Sequence, residues 1–278
     1  MNITEETNIP LEILIATMNR GSLDFLDEMF INTDSSKCHL LIINQTTPEL
    51  LLASNKPNIR VINSFERGLS KSRNLALQNA KGDIVLIADD DIVFEEGFFK
   101  HILQSFKLKT EAAMITFIAM NLDGTPYRNY RKSAHWHDFK SIHDVISWEI
   151  AFRVQRIKDL NIQFDENFGL GSIFQTGEEY IFVRDVLIAG GKCYFENVPI
   201  VSHPEYSSGK DEGSDRLVYA RAAIQYKVNK GLSYLWLPKY LFFLLRHDFI
   251  RFDEIRHKLA QGLKGIQDYK KIRDKRLA

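Results

Sequence analysis

Residues 84–91, Ile-Val-Leu-Ile-Ala-Asp-Asp-Asp, constrain this chain more than any other stretch. Five consecutive apolar residues suit a central parallel strand buried on both faces. Three aspartates then fall at the mouth of a sheet, where open α/β sheets bind ligands. Such acid runs also occur as solvated turns, but the buried strand in front argues against that. Adjacent carboxylates repel one another, and a divalent cation shared with a phosphate-bearing substrate is the usual reason to hold them together. Upstream, Leu75, Ala76 and Ala80 recur at helical spacing, so a helix is expected over 70–80, with Ser70 as its N-cap and Gly82 just past its end.

The same alternation extends on both sides. Apolar runs at 11–17, 38–44 and 58–63 each end in polar residues, with a short helix expected over 23–30. A helix over 95–108 and a strand over 112–119 follow the aspartates. An apolar stretch and an Arg-rich helix fill 142–160, a helix runs from Gly177 to about Ala189, and a last strand spans 192–201. Repeated βα units imply a parallel, right-handed sheet covered on both faces. Residues 121–140, with Tyr127, Arg128, Tyr130, Arg131, His135, Trp136 and His137, form either a loop over the mouth of the site or an ordinary surface excursion.

Overall charge is uninformative, with 36 basic and 36 acidic side chains. Its distribution is not: residues 1–220 carry 22 basic and 31 acidic side chains (net −9), and residues 221–278 carry 14 and 5 (net +9). The two cysteines, Cys38 and Cys193, have no metal-ligand spacing and frame no disulfide network, so a reducing cytoplasmic setting is expected. Residues 1–10 are polar and acidic rather than signal-like, and no apolar run is long enough to span a bilayer.

Five features stand in order along residues 11–205: Ile15-Ala-Thr17-Met-Asn19-Arg20, Gly68-x-Ser70-x-Ser72-Arg73-Asn74 with Gly82-Asp83, Asp89-Asp90-Asp91, Gly177-Glu178-Glu179, and His203. In order and spacing they resemble a family 2 glycosyltransferase of the GT-A fold, an inverting enzyme that uses a nucleotide-sugar donor. The resemblance implies a mostly parallel α/β GT-A domain over 1–205 with a helical, basic extension over 206–278. It implies Mn²⁺ or Mg²⁺ on Asp91 and Asp89, with His203 as a further metal contact or a structural histidine. It assigns Thr17, Asn19, Arg20, Asn44, Arg73, Asp89 and Asp90 to the donor side. Arg20 and Arg73 alternatively serve as ion-pair partners of the aspartates.

An acceptor hydroxyl must lose a proton as it attacks the anomeric carbon, so a carboxylate base is required. The resemblance puts that base at Glu179, where the family has Asp, with Glu178 binding the acceptor or exchanging roles with it. Both could also be acids favoured at a helix start. At Asn44-Gln45 the chain departs from the family's uracil-reading acid, which loosens the expectation of a UDP-sugar.

The C-terminal segment sets Trp236, Tyr240, Phe242 and Phe243 beside Lys239, Arg246 and Arg251. This pattern suits a helix lying on an anionic membrane, or one packed on the domain or in a homodimer. A saccharide or lipid-linked acceptor, in bacterial surface polysaccharide synthesis, follows from the resemblance; nucleic acid does not. Two other readings stand beside it. A nucleotidyltransferase lacks its Gly-rich, basic phosphate loop here, and intact acids at 89, 91 and 179 count against a non-catalytic sugar- or lipid-binding relative.

Overall fold

A computed structural model describes residues 10–203 and 211–277. Residues 1–9 and the expected boundary at 205/206 lie outside them. The chain divides into two compact units: residues 1–67, 71–164 and 182–205, and residues 68–70, 165–181 and 206–278.

The first unit is built on a twisted nine-stranded sheet. Strand β1 (Leu11–Met18) is followed by the short helix α1 (Phe25–Met29), β2 (His39–Gln45), β3 (Ile59–Ser64), helix α2 (Leu69–Asn79) and β4 (Ile84–Asp89). Their order is β3-β2-β1-β4, all parallel. As the uninterrupted apolar run requires, residues 84–88 are buried on both faces. Ser70 proves to be inside α2 rather than its cap: its hydroxyl donates to Phe168 O at 2.6 Å.

Beyond β4 the sheet stops being parallel. The two-residue strand β5 (Val93–Phe94) pairs antiparallel with the last strand, and helix α3 (Phe98–Leu108) leads into β6 (Ala112–Asn121). Strand β7 (His135–Trp136) lies inside the polar segment read as a loop. Within the stretch at 142–160, a 3-10 turn (Ser147–Glu149) leads into β8 (Ile150–Arg153), an antiparallel strand wedged between β4 and β6, and then α4 (Val154–Asp159). Periodicity could not separate these four strand residues from the helix that follows. Helix α5 (Glu178–Ile188) and the 12-residue strand β9 (Lys192–His203), parallel to β6, complete the sheet's surroundings. Phe94 stacks on Phe98 with centroids 4.4 Å apart and meets Phe30 at 4.8 Å, closing the core beneath the aspartates. Each fully buried ring contributes about 2–3 kcal/mol.

In the second unit, α6 (Asp215–Asn229), α7 (Ser233–Arg246) and α8 (Ile255–Leu277) enclose a separate apolar core with Phe168 and Phe174. Helix α7 divides the residues assigned to one interfacial face. Tyr240 is buried, its hydroxyl 3.1 Å from Arg221 Nη1, and it stacks with Trp236; it therefore sits in the core and not at a lipid surface. Leu235, Lys239, Phe242 and Arg246, at i, i+4, i+7 and i+11, are exposed along one stripe. Among the described residues, no helix is long and apolar enough to cross a membrane.

Candidate active site

Strand register explains how residues distant in sequence reach the aspartates. Ala16 pairs with Asp89 between β1 and β4, so Thr17 and Asp90 leave the sheet side by side. The Thr17 hydroxyl donates to Asp90 Oδ2 at 2.5 Å, and Arg20 Nε donates to the same oxygen at 2.8 Å. Between them, Asn19 turns the chain with φ of 55°, a left-handed conformation that asparagine tolerates. Thr17 likewise pairs with Asn44, and Asn44 with Asn63. The Asn44 amide accepts from Arg20 N at 3.1 Å and donates to Arg20 O and to Asn63 Oδ1, each at 3.0 Å. Fully buried and with these bonds made, Asn44 braces the first loop.

Asp89 takes a different partner. Arg73, on α2, is almost completely buried and lies 3.2 Å from Asp89 Oδ1, with its guanidinium 5.7 Å from the Phe164 ring centroid. Ser147 donates to Asp89 Oδ2 at 3.3 Å. The antiparallel register Leu86–Ala151 brings that turn back past the end of β4.

Asp91 is the open member of the triplet, with 60% of its side chain exposed against 24% and 23% for Asp89 and Asp90. The pairing of Val93 with Ser202 folds Asp91 back toward the end of β9, where His203 Nε2 lies 3.4 Å from Asp91 Oδ1. Hydrogen bonding from His203 holds the Asp91 carboxyl below its ordinary range. Trp148 stacks flat on His203, with centroids 4.4 Å apart and planes at 7°, while Tyr127 meets both rings edge-on.

Among the described residues, no group of three His, Cys, Asp or Glu side chains is arranged to hold a metal ion. One carboxylate beside one imidazole does fit a divalent cation that takes its remaining ligands from phosphate oxygens and water.

Glu178 and Glu179 open α5 in the second unit. Glu178 is buried and Glu179 half-buried. Gly169, at φ of 98°, lies against Glu178: a Cβ there would sit 2.9 Å from Glu178 Cδ and 3.1 Å from Ser70 Oγ. Gly177, at φ of 81°, turns the chain into the helix where a side chain would collide with Ile224. Gly169 thus packs closely against Glu178.

The motif pattern brought Thr17, Asn19, Arg20, Arg73, Asp89, Asp90, Asp91 and His203 into one neighbourhood of the first unit. It missed Ser147, Trp148, Glu149 and Asn63. The only available signal for the first three was a Trp-Glu pair ahead of a short apolar run.

Comparison with known proteins agrees with this architecture. No curated protein matches the chain by sequence. The fold is similar to the crystal structure of S. aureus TarS residues 1–349, at 14% identity and a TM-score of 0.58, covering 93% of this chain and 81% of that one. The crystal structure of S. aureus TarS matches at 16% identity and a TM-score of 0.59, over 94% of this chain and 48% of the other. S. aureus TarS 1–349 in complex with UDP-GlcNAc gives 14% identity, 94% and 80% coverage, and a TM-score of 0.58. Residues 19–172, more than half of the chain, match the Glycosyl transferase family 2 profile. The chain therefore belongs to glycosyl transferase family 2 and is a glycosyltransferase.

Proposed function

We propose that the protein is an inverting transferase that moves a sugar from a nucleoside-diphosphate donor, a UDP-sugar by default, to a hydroxyl of a saccharide or lipid-linked acceptor. The observation carrying this reading is the division of labour among the aspartates. Asp89 and Asp90 are committed to Arg73, Ser147, Thr17 and Arg20, and Asp91 stays open beside His203. Asp91 and His203 would hold Mn²⁺ or Mg²⁺, with Asp89 a positioning group rather than the ligand first expected. When bound, that cation supplies Lewis-acid stabilisation of charge on the departing diphosphate.

Thr17, Asn19 and Arg20 border the nucleotide on a loop whose shape Asn44 and Asp90 fix. Arg73 orients Asp89. Glu179 takes the acceptor proton as general base, and Glu178, packed against Gly169, braces it. The base assignment draws on the sequence resemblance together with the greater exposure of Glu179. Peripheral contact with an anionic membrane through α7 is favoured by the stripe of Leu235, Lys239, Phe242 and Arg246, and would bring the enzyme to lipid-linked acceptors on the cytoplasmic face.

Calorimetric titration with UDP, GDP, CDP and dTDP, with Mn²⁺ and then with EDTA, tests the donor site. Metal-dependent binding of one nucleotide is the expected result. Binding of none by folded protein would overturn the reading.

A further inference from the structure

The indole N–H of Trp148 is buried and has no hydrogen-bond partner among the described residues. Buried donors are rarely left unmet, and each exception calls for an explanation. Simple packing does not supply one, because a phenylalanine could stack on His203 without a polar atom to satisfy.

The turn that carries Trp148 is fixed on both sides. Ser147 bonds Asp89 at 3.3 Å. Glu149, fully buried, receives Arg128 Nη2 at 2.6 Å and the Tyr130 hydroxyl, which in turn accepts from Ala119 N at 3.0 Å. The same segment delivers Tyr127 edge-on to Trp148 and His203. Three consecutive residues therefore tie Asp89, His203 and the 127–130 segment together, and the ring holding the unmet donor is locked against the histidine that faces Asp91.

We infer that Trp148 is a ligand-binding residue: its ring fixes His203, and its N–H donates to an anionic oxygen of the bound nucleoside diphosphate. This rests on the donor site proposed above. The chemistry follows from the surroundings, since a ligand gathered beside Asp91 and His203 by a cation brings phosphate oxygens, which are strong acceptors for a dry N–H.

Wild type, Trp148→Phe and Trp148→Ala are compared by calorimetry with the nucleoside diphosphate that wild type binds best, with and without Mn²⁺, and by thermal melting. Trp148→Phe keeps a ring on His203 and loses only the donor. It is expected to bind about tenfold more weakly, to keep its Mn²⁺ dependence, and to melt no lower than wild type. Trp148→Ala, without ring or donor, is expected to lose the Mn²⁺ dependence as well. Equal affinity of wild type and Trp148→Phe would overturn the role of the N–H, as it would if the donor serves the acceptor instead. Undiminished Mn²⁺ dependence in Trp148→Ala would overturn the role of the ring. A wild type that binds no nucleotide would refute the donor site itself, an outcome separate from any difference between variants.

Discussion

Asp90 makes the sharpest prediction about the first loop, because one of its oxygens serves two donors. Replacing it with alanine removes the acceptor of the Thr17 hydroxyl and the partner of Arg20 Nε. Thr17 is only 4% exposed, so its hydroxyl finds little water in exchange, and that loss costs about 1 kcal/mol or somewhat more. The Arg20 side chain is 42% exposed, which limits the ion pair to about 0.5 kcal/mol. Together these give a destabilisation of about 1.5–2 kcal/mol, or roughly 3–8 °C in melting temperature for a domain of this size. Asp90→Asn retains one oxygen acceptor and should lose about half as much. Thr17 and Asp90 touch, so Thr17→Val combined with Asp90→Ala should be non-additive by about 0.5–1 kcal/mol. Thermal melting of wild type, the three single variants and the double variant reads the stability. Nucleotide titration should show about tenfold weaker binding in Asp90→Ala, because the loop must then be ordered at the ligand's expense. An Asp90→Ala protein that melts within 1 °C of wild type, or that is additive with Thr17→Val, would refute the shared-acceptor account.

Further outcomes are expected elsewhere. Glu179→Gln should bind nucleotide normally and lose transfer by roughly 10²–10⁴-fold, whereas Glu178→Gln should lower the melting temperature first; normal turnover in Glu179→Gln would exclude it as the base. Burial pushes the His137 imidazole down to about 4, while it contacts the Thr116 and Ser141 hydroxyls. The unfolded chain therefore takes up this proton first. Stability present above about pH 6.5 should fall by up to on the order of 3 kcal/mol as pH drops towards 4, and His137→Gln should flatten the melting curve between pH 7.5 and 4.5. A double Leu235→Glu, Phe242→Glu variant alters only exposed positions on α7 and should no longer float with phosphatidylglycerol vesicles that wild type follows. Continued flotation would remove that face from consideration.

The parts of this fold that the sequence disclosed are those governed by local rules. Five apolar residues in a row can be accommodated only where both faces of a strand are covered, and 84–88 occupy that position between β1 and β8. Gly177 announced the start of a helix, and its φ of 81° turns the chain into α5. Antiparallel pairing was not legible, because β8 has four residues and β5 two, and their partners are set by long-range register alone. That register delivers Ser147, Trp148 and Glu149 together, so these three residues missed by the motifs share one cause. The bracing role of Asn44 was not legible for a related reason. Its position beside the first loop was evident, but only the β2–β3 register reveals Asn63 as the partner that occupies its amide.

The three aspartates also show why adjacent identical residues need not share a role. Successive side chains leaving a strand point to different sides, so each carboxylate meets a different set of neighbours. Asp89 meets a guanidinium sealed from water, and removing one member of so buried an ion pair is strongly destabilising. Asp90 meets a hydroxyl and a half-exposed arginine, and so controls the shape of a loop. Asp91 faces solvent with the His203 imidazole beside it. Repulsion within the triplet is thus relieved twice by arginine, and the remaining negative charge, on Asp91, is left facing solvent beside His203. On this account the order of sensitivity differs by assay: folding should depend most on Asp89, and metal-supported nucleotide binding most on Asp91.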